Sequence, residues 1–221
     1  MRKYTSAPRP YVLLPDAGGT IEEGGRFGLE LRLFGSANKH RDLVVQALER
    51  SAWKGLGKSR LRFESSGPVE AQINSLDMTP GKDLPVLSGD LRIQLLTPLR
   101  IRVRNHYVGP ADLSFGDFFS ILLRRLSMLC SFHEKRPFET DFRALVSQAH
   151  SIEWQEAALE LVRLKRYSSR QHSALDMSGL SGRLSLACHD AEPFLPWLWL
   201  GQYTLLGRGC VMGLGQYTLD H

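Results

Sequence analysis

The sequence predicts an α+β fold, because stretches of alternating apolar and polar residues are interspersed with stretches in which apolar residues recur at helical spacing. Alternation is clearest over residues 26–34 and 91–103, and a period of two is typical of a half-buried strand. Helical spacing is clearest over residues 41–53 and 114–132, where a period of about 3.6 indicates an amphipathic helix. No stretch approaches the ~18 uninterrupted apolar residues of a membrane-spanning helix, so we expect no membrane partner.

The first part of the chain predicts only a fragment of a folded unit. Glycine is a poor helix former, so the first predicted helix should end at Gly55-Leu56-Gly57. Residues 65–83 are polar and contain a Gly-Pro and a Pro-Gly pair, which mark loops and linkers. We therefore divide the chain into a partial N-terminal domain (1–83) and a C-terminal domain (84–221). The predicted elements of the first domain are an extended start at 1–15, strands at 26–34 and 58–64 and a helix at 41–53.

The C-terminal domain predicts a more complete unit. Ser114 suits a helix N-cap and Asp117 suits the first turn, whereas Pro98 inside the first strand implies a bulge or an edge position. The order of elements is βαββαβ with one inserted helix, a ferredoxin-like unit. The predicted strands are 91–104, 160–166, 182–188 and 210–219, and the predicted helices are 114–132, 141–149 and 193–206.

Composition favours a nucleic-acid partner without settling the matter. The net charge is +5, and 21 of the 28 basic residues are arginines. Arginine pairs with phosphates and stacks on bases, but a modest positive charge also serves solubility alone. Cys130, Cys188 and Cys210 lack the spacing of a disulfide framework or a metal site. We therefore expect reduced thiols, a cytoplasmic location and neither metal nor cofactor.

The most informative segment runs from residue 200 to 219. It contains glycines at 201, 207, 209, 213 and 215 and one arginine, Arg208. So many glycines indicate positive φ angles or a close approach of another molecule, and amides beside a guanidinium suit a phosphate. Alternatively, the glycines only let a helix pack tightly on the last strand, with Arg208 in solvent. The hexapeptide Leu-Gly-Gln-Tyr-Thr-Leu occurs twice, and we interpret the first copy as a helix end and the second as a strand.

Four segments together carry a resemblance to a known family. They are residues 43–63, a helix with a glycine-punctuated hairpin; Leu95–Arg100 with Phe115-x-x-Phe-Phe and Leu123-Arg-Arg-Leu-Ser; Arg166-Tyr-Ser-Ser-Arg-Gln171 followed by Met177-x-Gly-Leu-x-Gly182; and the glycine-rich residues 200–217. In their order and spacing these segments resemble the CRISPR repeat-RNA-processing endoribonucleases of the RAMP superfamily.

The resemblance implies tandem ferredoxin-like, RRM-like folds, of which the first is incomplete here. It implies recognition of CRISPR repeat RNA and metal-independent cleavage of precursor crRNA, in which a ribose 2′-hydroxyl attacks the adjacent phosphate. The expected partners are repeat RNA or crRNA and other CRISPR effector subunits. Two departures stand out. The chain starts downstream of the strand and helix that usually open the first fold and often carry the general-base histidine, and Thr204 stands where a histidine is common.

The candidate RNA-binding residues fall into two groups. Arg208 and the loop glycines would contact phosphate, whereas Arg166, Arg170 and Gln171 would grip the backbone or a base beside a stacking Tyr167. The alternative for the second group is that Tyr167 belongs to the core and the arginines pair with Glu153, Glu156 or Glu160. The predicted set is Gly207, Arg208, Gly209, Gly213, Gly215, Arg166, Tyr167, Arg170 and Gln171.

The catalytic residues are less well specified. Cleavage by a 2′-hydroxyl needs a base near neutral pKa and a cation that stabilises the phosphorane. Among the seven histidines, His172 and His40 are the candidate bases, each more typical of a surface histidine. Paired carboxylates at metal-site spacing are missing from the sequence, which disfavours a two-metal nuclease. A non-catalytic subunit that binds and holds crRNA in an effector complex and a scaffold that no longer binds RNA are the alternatives.

Overall fold

A computed structural model of the chain describes residues 7–16, 21–57, 59–65, 82–134, 140–168 and 173–220. The helices are α1 (Arg41–Lys54), α2 (Phe115–Leu129), α3 (Phe142–Ala149), α4 (Cys188–Ala191) and α5 (Leu195–Thr204). The strands are β1 (Tyr11–Pro15), β2 (Leu29–Leu33), β3 (Leu91–Leu99), β4 (Arg102–Val103), β5 (His106–Tyr107), β6 (Glu156–Val162), β7 (Lys165–Ser168), β8 (Ser173–Asp176), β9 (Gly179–Leu186) and β10 (Tyr217–Asp220). No helix in the described ranges is both long and apolar enough to span a membrane.

A four-stranded antiparallel sheet organises the C-terminal domain. Its spatial order is β10-β3-β9-β6, and its strands are joined in the chain as β3-α2-β6-β9-α5-β10. In this βαββαβ unit the first strand lies between the last two, which is the ferredoxin-like arrangement. The predicted α+β, ferredoxin-like fold class is therefore confirmed.

The core forms where α2 and α5 cover one face of this sheet. Helix α2 begins at Ser114, whose hydroxyl accepts the Asp117 amide at 3.1 Å, as the capping pattern predicts. Three phenylalanines of α2 are completely buried, and Phe115 contacts Phe194 and Trp154 edge-on, with ring centroids 5.0 and 5.2 Å apart. The Trp154 indole donates to the Leu113 carbonyl at 2.8 Å, so the rings are held by a hydrogen bond as well as by packing.

Tyr217 joins the last strand to α5. Its side chain is 1% exposed, and its hydroxyl donates to the Leu198 carbonyl at 2.7 Å. The hydroxyl reaches that carbonyl across Gly201, where a Cβ atom would collide with it. Burial raises the pKa of the Tyr217 phenol far above its usual value, because the phenolate cannot be solvated there.

The N-terminal hairpin packs against the tail of the chain. Strands β1 and β2 are antiparallel. Val12 and Leu14 of β1 form a small second core with Leu205 and Cys210. Residues far apart in sequence thus bury apolar surface together, and β1 supports the segment between α5 and β10.

Several sequence predictions hold, including the helices at 41–53, 114–132 and 141–149 and the bulge at Pro98. The register between β3 and β9 shifts between Leu95 and Leu99, because proline cannot donate to the ladder. The hexapeptide copies differ as expected, since the first lies in α5 and the second leads into β10. The polar segment 65–83 lies mostly outside the described residues.

Several strand predictions are wrong in extent. The strand predicted at 91–104 ends at Leu99, and Arg102–Val103 form the separate strand β4. Residues 58–64 contribute one isolated bridge, between Leu56 and Leu61, beside Arg60 with a left-handed φ of 50°. Residues 210–219 form a strand only from Tyr217, because Cys210–Met212 is a 3-10 turn between two left-handed glycines. The strand predicted at 160–166 is two strands, β6 and β7.

Replacing Tyr217 by phenylalanine should lower the free energy of unfolding by about 1 kcal/mol, because a buried hydrogen bond is lost while the ring is kept. Urea denaturation measures the difference. Tyr11→Phe is the control, because the Tyr11 hydroxyl accepts only a long, exposed hydrogen bond from Arg9 at 3.5 Å among the described contacts. Equal losses in the two variants would contradict this role for Tyr217.

The same side chain predicts an alkaline loss of stability. The pKa of Tyr217 is raised in the folded protein, so its contribution is complete below the pKa of an unfolded tyrosine, about 10, and declines as pH rises above it. Denaturation between pH 9 and 11 should show a steeper decline for the wild type than for Tyr217→Phe. Parallel curves would show that other groups dominate.

Candidate nucleic-acid interface

Two arginines hold the C-terminal end of α5. Arg32 of β2 donates to the Gln202 carbonyl at 2.9 Å and to the Tyr203 carbonyl at 3.3 Å. Arg125 of α2 donates through Nε to the Thr204 carbonyl at 2.8 Å. The last carbonyls of a helix lack intrahelical partners and carry a partial negative charge. Both cations therefore fix the point at which the chain leaves α5.

The glycine-rich loop, residues 205–216, begins there with a strained residue. Leu205 has a φ of 61° and is completely buried, a conformation that non-glycine residues rarely adopt. The four loop glycines have φ angles of 88°, 88°, 80° and 76° at 207, 209, 213 and 215. The chain therefore winds through repeated left-handed turns.

Two of these glycines also permit close backbone contacts. A Cβ atom at Gly207 would lie 2.5 Å from the Arg100 carbonyl oxygen, and one at Gly215 would collide with the Leu206 carbonyl oxygen. The loop is thereby pressed onto the end of β3 and onto its own first residues. The close approach of a helix to the last strand, which was the alternative offered by the sequence, occurs instead at Gly201 against Tyr217.

Most loop amides have acceptors inside the protein. The Arg208 amide donates to the Arg100 carbonyl at 2.9 Å and the Gly215 amide to the Pro98 carbonyl at 3.1 Å. The amides of Leu206, Met212, Gly213, Leu214 and Gln216 are likewise engaged. Only a minority of the loop amides is therefore available to a phosphate, and the contact between the loop and a phosphate stays a prediction. Among the described residues, the loop amides without such an acceptor are those of Gly207, Gly209, Cys210 and Val211.

The side chains nevertheless leave a cationic surface beside the loop. Arg208 is exposed, and its guanidinium has no hydrogen-bond or ion-pair partner among the residues that the structure describes. Arg166 of β7 contacts the sulfur of Met212, a loop residue that is 42% exposed. The predicted residues Arg208 and Arg166, 42 positions apart, thus lie at the same loop. In the described structure Arg166 contacts this methionine rather than a glutamate.

Of the other predicted residues of this group, only Tyr167 lies within the described ranges. Tyr167 lies in β7, where its backbone pairs with Ala174 of β8. Arg170, Gln171 and the candidate base His172 lie outside the described residues.

Arg100 is a site residue that the candidate set lacked. Its carbonyl accepts the Arg208 amide, and its Nε donates to the Ser178 carbonyl at 2.9 Å. Hydrogen bonds from Ser178, and then the charges of Arg100 and Lys165, hold the pKa of the Asp176 carboxyl below its usual range. The sequence signal for this position was the series of arginines at 92, 100, 102 and 104. Nothing in that series distinguished Arg100 from the others.

The half-buried Arg125 and the buried Cys210 influence each other electrostatically behind the loop. The Cys210 thiol donates to the Gly207 carbonyl at 3.2 Å. Burial raises the pKa of this thiol although the Arg125 charge opposes that shift, so the thiol stays protonated. Nη2 of Arg125 is buried without a hydrogen-bond partner, and burial lowers the pKa of the guanidinium. Both groups support the loop from within.

No described histidine is hydrogen-bonded to the loop. His40 is exposed at the start of α1 and makes no capping bond, and the ring of His133 contacts the Pro8 carbonyl at 2.8 Å. Thr204 is buried, 8% exposed, and its carbonyl accepts Arg125. In the described ranges no three His, Cys, Asp or Glu side chains come together as metal ligands would.

Comparison with known proteins shows which family the residues of this loop and the surrounding domain match. A family model for the CRISPR-associated endoribonuclease Cas6 matches residues 93–217, which is more than half of the chain. A second model, for an N-terminal domain, matches residues 1–81. No match was found among curated proteins.

Solved structures show the same fold. A product complex of Thermus thermophilus Cas6 (TTHB231) has a TM-score of 0.66 at 17% identity, over 97% of this chain and 83% of that chain. A product complex of another Cas6 (TTHA0078) has a TM-score of 0.56 at 18% identity, over 96% of this chain and 85% of that chain. At these identities the similarity establishes the fold.

Gly215→Ala should destabilise the protein by about 2 kcal/mol or more, because it combines a left-handed backbone with an overlap on the Leu206 carbonyl. Thermal or urea unfolding measures the loss. Gly89→Ala is the matched control, since a Cβ atom there would meet nothing within 4 Å and its φ is not left-handed. If Gly215→Ala unfolded like Gly89→Ala, the close packing described for the loop would be contradicted.

Proposed function

Since this chain belongs to the CRISPR-associated endoribonuclease Cas6 family, we propose that it recognises CRISPR repeat RNA at the glycine-rich loop and cleaves precursor crRNA there. The observation that carries the proposal is the guanidinium of Arg208, which is exposed and has no partner among the described residues, on a loop whose backbone is fixed by internal hydrogen bonds. A loop whose backbone is already fixed loses less conformational freedom on binding a phosphate than a mobile loop does. The Cas6 product complexes of the same fold support the assignment.

The proposed reaction needs no metal. A base removes the proton of the ribose 2′-hydroxyl, and the 2′-oxygen attacks the adjacent phosphorus. The bond from phosphorus to the 5′-oxygen of the next nucleotide breaks, and that oxygen takes up a proton from the protonated base or from water. The products are a 2′,3′-cyclic phosphate and a free 5′-hydroxyl. Arg208 would stabilise the negative charge that accumulates on the phosphorane. His40 and His172 remain the proposed candidates for the base.

A second candidate function follows from the histidine positions. Because no described histidine lies in hydrogen-bond contact with the glycine-rich loop, a subunit that binds and holds crRNA within an effector complex is the alternative. Such a subunit would keep the cationic loop but lack the base. Other CRISPR effector subunits would then be its partners, and the cytoplasm is the proposed location for either function.

The proposed division of the chain remains at residue 83. The model for an N-terminal domain ends at residue 81, close to this boundary. The two domains would then both contribute to the RNA site, since β1 and β2 support the glycine-rich loop.

Labelled repeat RNA incubated with the protein in EDTA tests the reaction. We expect cleavage at one position and a cyclic phosphate on the 5′ fragment, because no step needs a metal. Tight binding without cleavage would favour the crRNA-holding subunit, and neither binding nor cleavage would overturn both functions. If replacing His40 and His172 together leaves the cleavage rate unchanged, neither is the base.

Arg208→Ala should weaken repeat-RNA binding roughly tenfold, because a hydrogen bond to a charged phosphate is lost. It should also reduce the salt dependence of binding by about one unit of slope. Arg143→Ala is the matched control, an exposed arginine on α3. Equal affinities of the two variants, measured by fluorescence anisotropy, would remove Arg208 from the site.

A further inference from the structure

A short hairpin follows β3 directly beside the glycine-rich loop. Strands β4 and β5 pair Arg102 with Tyr107 and Val103 with His106. The turn between them consists of Arg104 and Asn105, whose φ angles of 46° and 71° are both left-handed. Two-residue turns of this kind favour Asn and Gly, and an arginine in a left-handed conformation is strained. The strained turn holds the Arg104 side chain at an exposed tip.

Two anchored guanidinium groups lie against the ring of Tyr107. The Cζ atoms of Arg100 and Arg102 are 4.7 and 5.9 Å from the ring centroid. Nε of Arg100 is bound to the Ser178 carbonyl, and Nε of Arg102 donates to the Asn105 carbonyl at 2.8 Å. These bonds fix the guanidinium planes and use only some of the five N–H groups that each arginine carries. The ring itself is 52% exposed.

The base of the hairpin is rigid and joins the loop. Ile101 is 1% exposed, and its carbonyl accepts the Val108 amide at 3.1 Å. The preceding residue, Arg100, accepts the Arg208 amide. A strand of RNA whose phosphate lies at Arg208 would therefore be next to the hairpin.

The charge of the hairpin is of one sign. Residues 100–109 include three arginines and one histidine but no Asp or Glu, and Asp176 of β8 is the acidic group that faces Arg100. An exposed ring flanked by guanidinium groups matches an unpaired nucleotide, which offers a flat base and an anionic phosphate together. An acidic peptide would use the cations but not the ring.

We infer that this arginine–tyrosine hairpin, residues 100–107, is a second RNA-binding element that holds unpaired nucleotides adjoining the glycine-rich loop. A base stacks on Tyr107 and its arginines, and phosphates pair with Arg102 and Arg104. The inference rests on the proposed RNA-binding function and adds single-stranded RNA as the ligand class of a surface outside the loop.

The test compares the affinities of Tyr107 variants for repeat RNA that carries single-stranded flanks. Tyr107→Ala should bind roughly tenfold more weakly, because one base loses its stacking surface. Tyr107→Phe keeps the ring and should bind more tightly than Tyr107→Ala. Arg104→Ala should lower the salt slope by about one. Circular dichroism verifies that the variants are folded.

The matched control is a similar pair in the N-terminal domain. Trp53 of α1 is 60% exposed and lies under the Arg62 guanidinium, with Cζ 5.4 Å from the ring centroid. Trp53→Ala removes an exposed arginine–aromatic contact outside the hairpin, so it should leave the RNA affinity unchanged. A loss equal to that of Tyr107→Ala would show that the effect is not specific to the hairpin and would overturn the inference.

The outcomes separate the inference from the function on which it rests. If Arg208→Ala binds RNA weakly and Tyr107→Ala binds like the wild type, the hairpin inference is overturned and the proposed function stands. If the wild type does not bind repeat RNA, both are overturned. Tyr107→Ala could also keep the RNA affinity of the wild type but lose binding to another CRISPR-associated protein. The hairpin would then be a protein-docking element, and this result too would overturn the inference.

Discussion

The anchoring of α5 by two arginines is the constraint on which the site depends. Arg32 comes from the N-terminal hairpin and Arg125 from α2, and both donate to the last carbonyls of α5. The direction in which the chain leaves this helix is therefore set by charge as well as by packing. Leu205 accepts a left-handed conformation at this point, and the following glycines continue the turn. Without the arginines, three carbonyls and a helix dipole would face the start of the loop without cationic partners.

The glycine-rich loop combines a rigid backbone with an available charge. Its amides are mostly engaged with acceptors inside the protein, so the loop holds its shape without a ligand. The guanidinium of Arg208 is exposed, and Arg166 reaches the loop from β7. This division suits a protein that binds a flexible polymer, because the ordering cost then falls mainly on the RNA.

Local patterns were sufficient to predict the ferredoxin-like unit but not all its strands. Alternation in β3 and the capping pattern of α2 depend on neighbouring residues, and both were correct. The start of β6 was missed because Glu156, Ala157 and Ala158 are all exposed on an edge strand, which removes the alternation. The tail was predicted as a strand because its apolar residues are dense, but Gly209 and Gly213 enclose a 3-10 turn instead.

The site was harder to predict than the fold. The glycines and Arg208 stand out in the sequence, and they do form one loop. Arg32 and Arg125 do not stand out in the sequence. The carbonyls that they bind are 170 and 79 positions away, and no local pattern connects them. The same holds for the choice of a base among the histidines, since proximity to a loop is a property of the tertiary structure.

The small apolar cluster beneath the loop has an evolutionary consequence. Val12 and Leu14 pack with Leu205 and Cys210 in one cluster, and a Cβ atom at Gly213 would lie 3.0 Å from the Leu13 carbonyl oxygen. Substitutions in the first strand and in the tail must therefore be accepted together. In chimeras that exchange one half of the chain between distant homologues, the apolar residues of this cluster would pack poorly against each other, even where each half folds well.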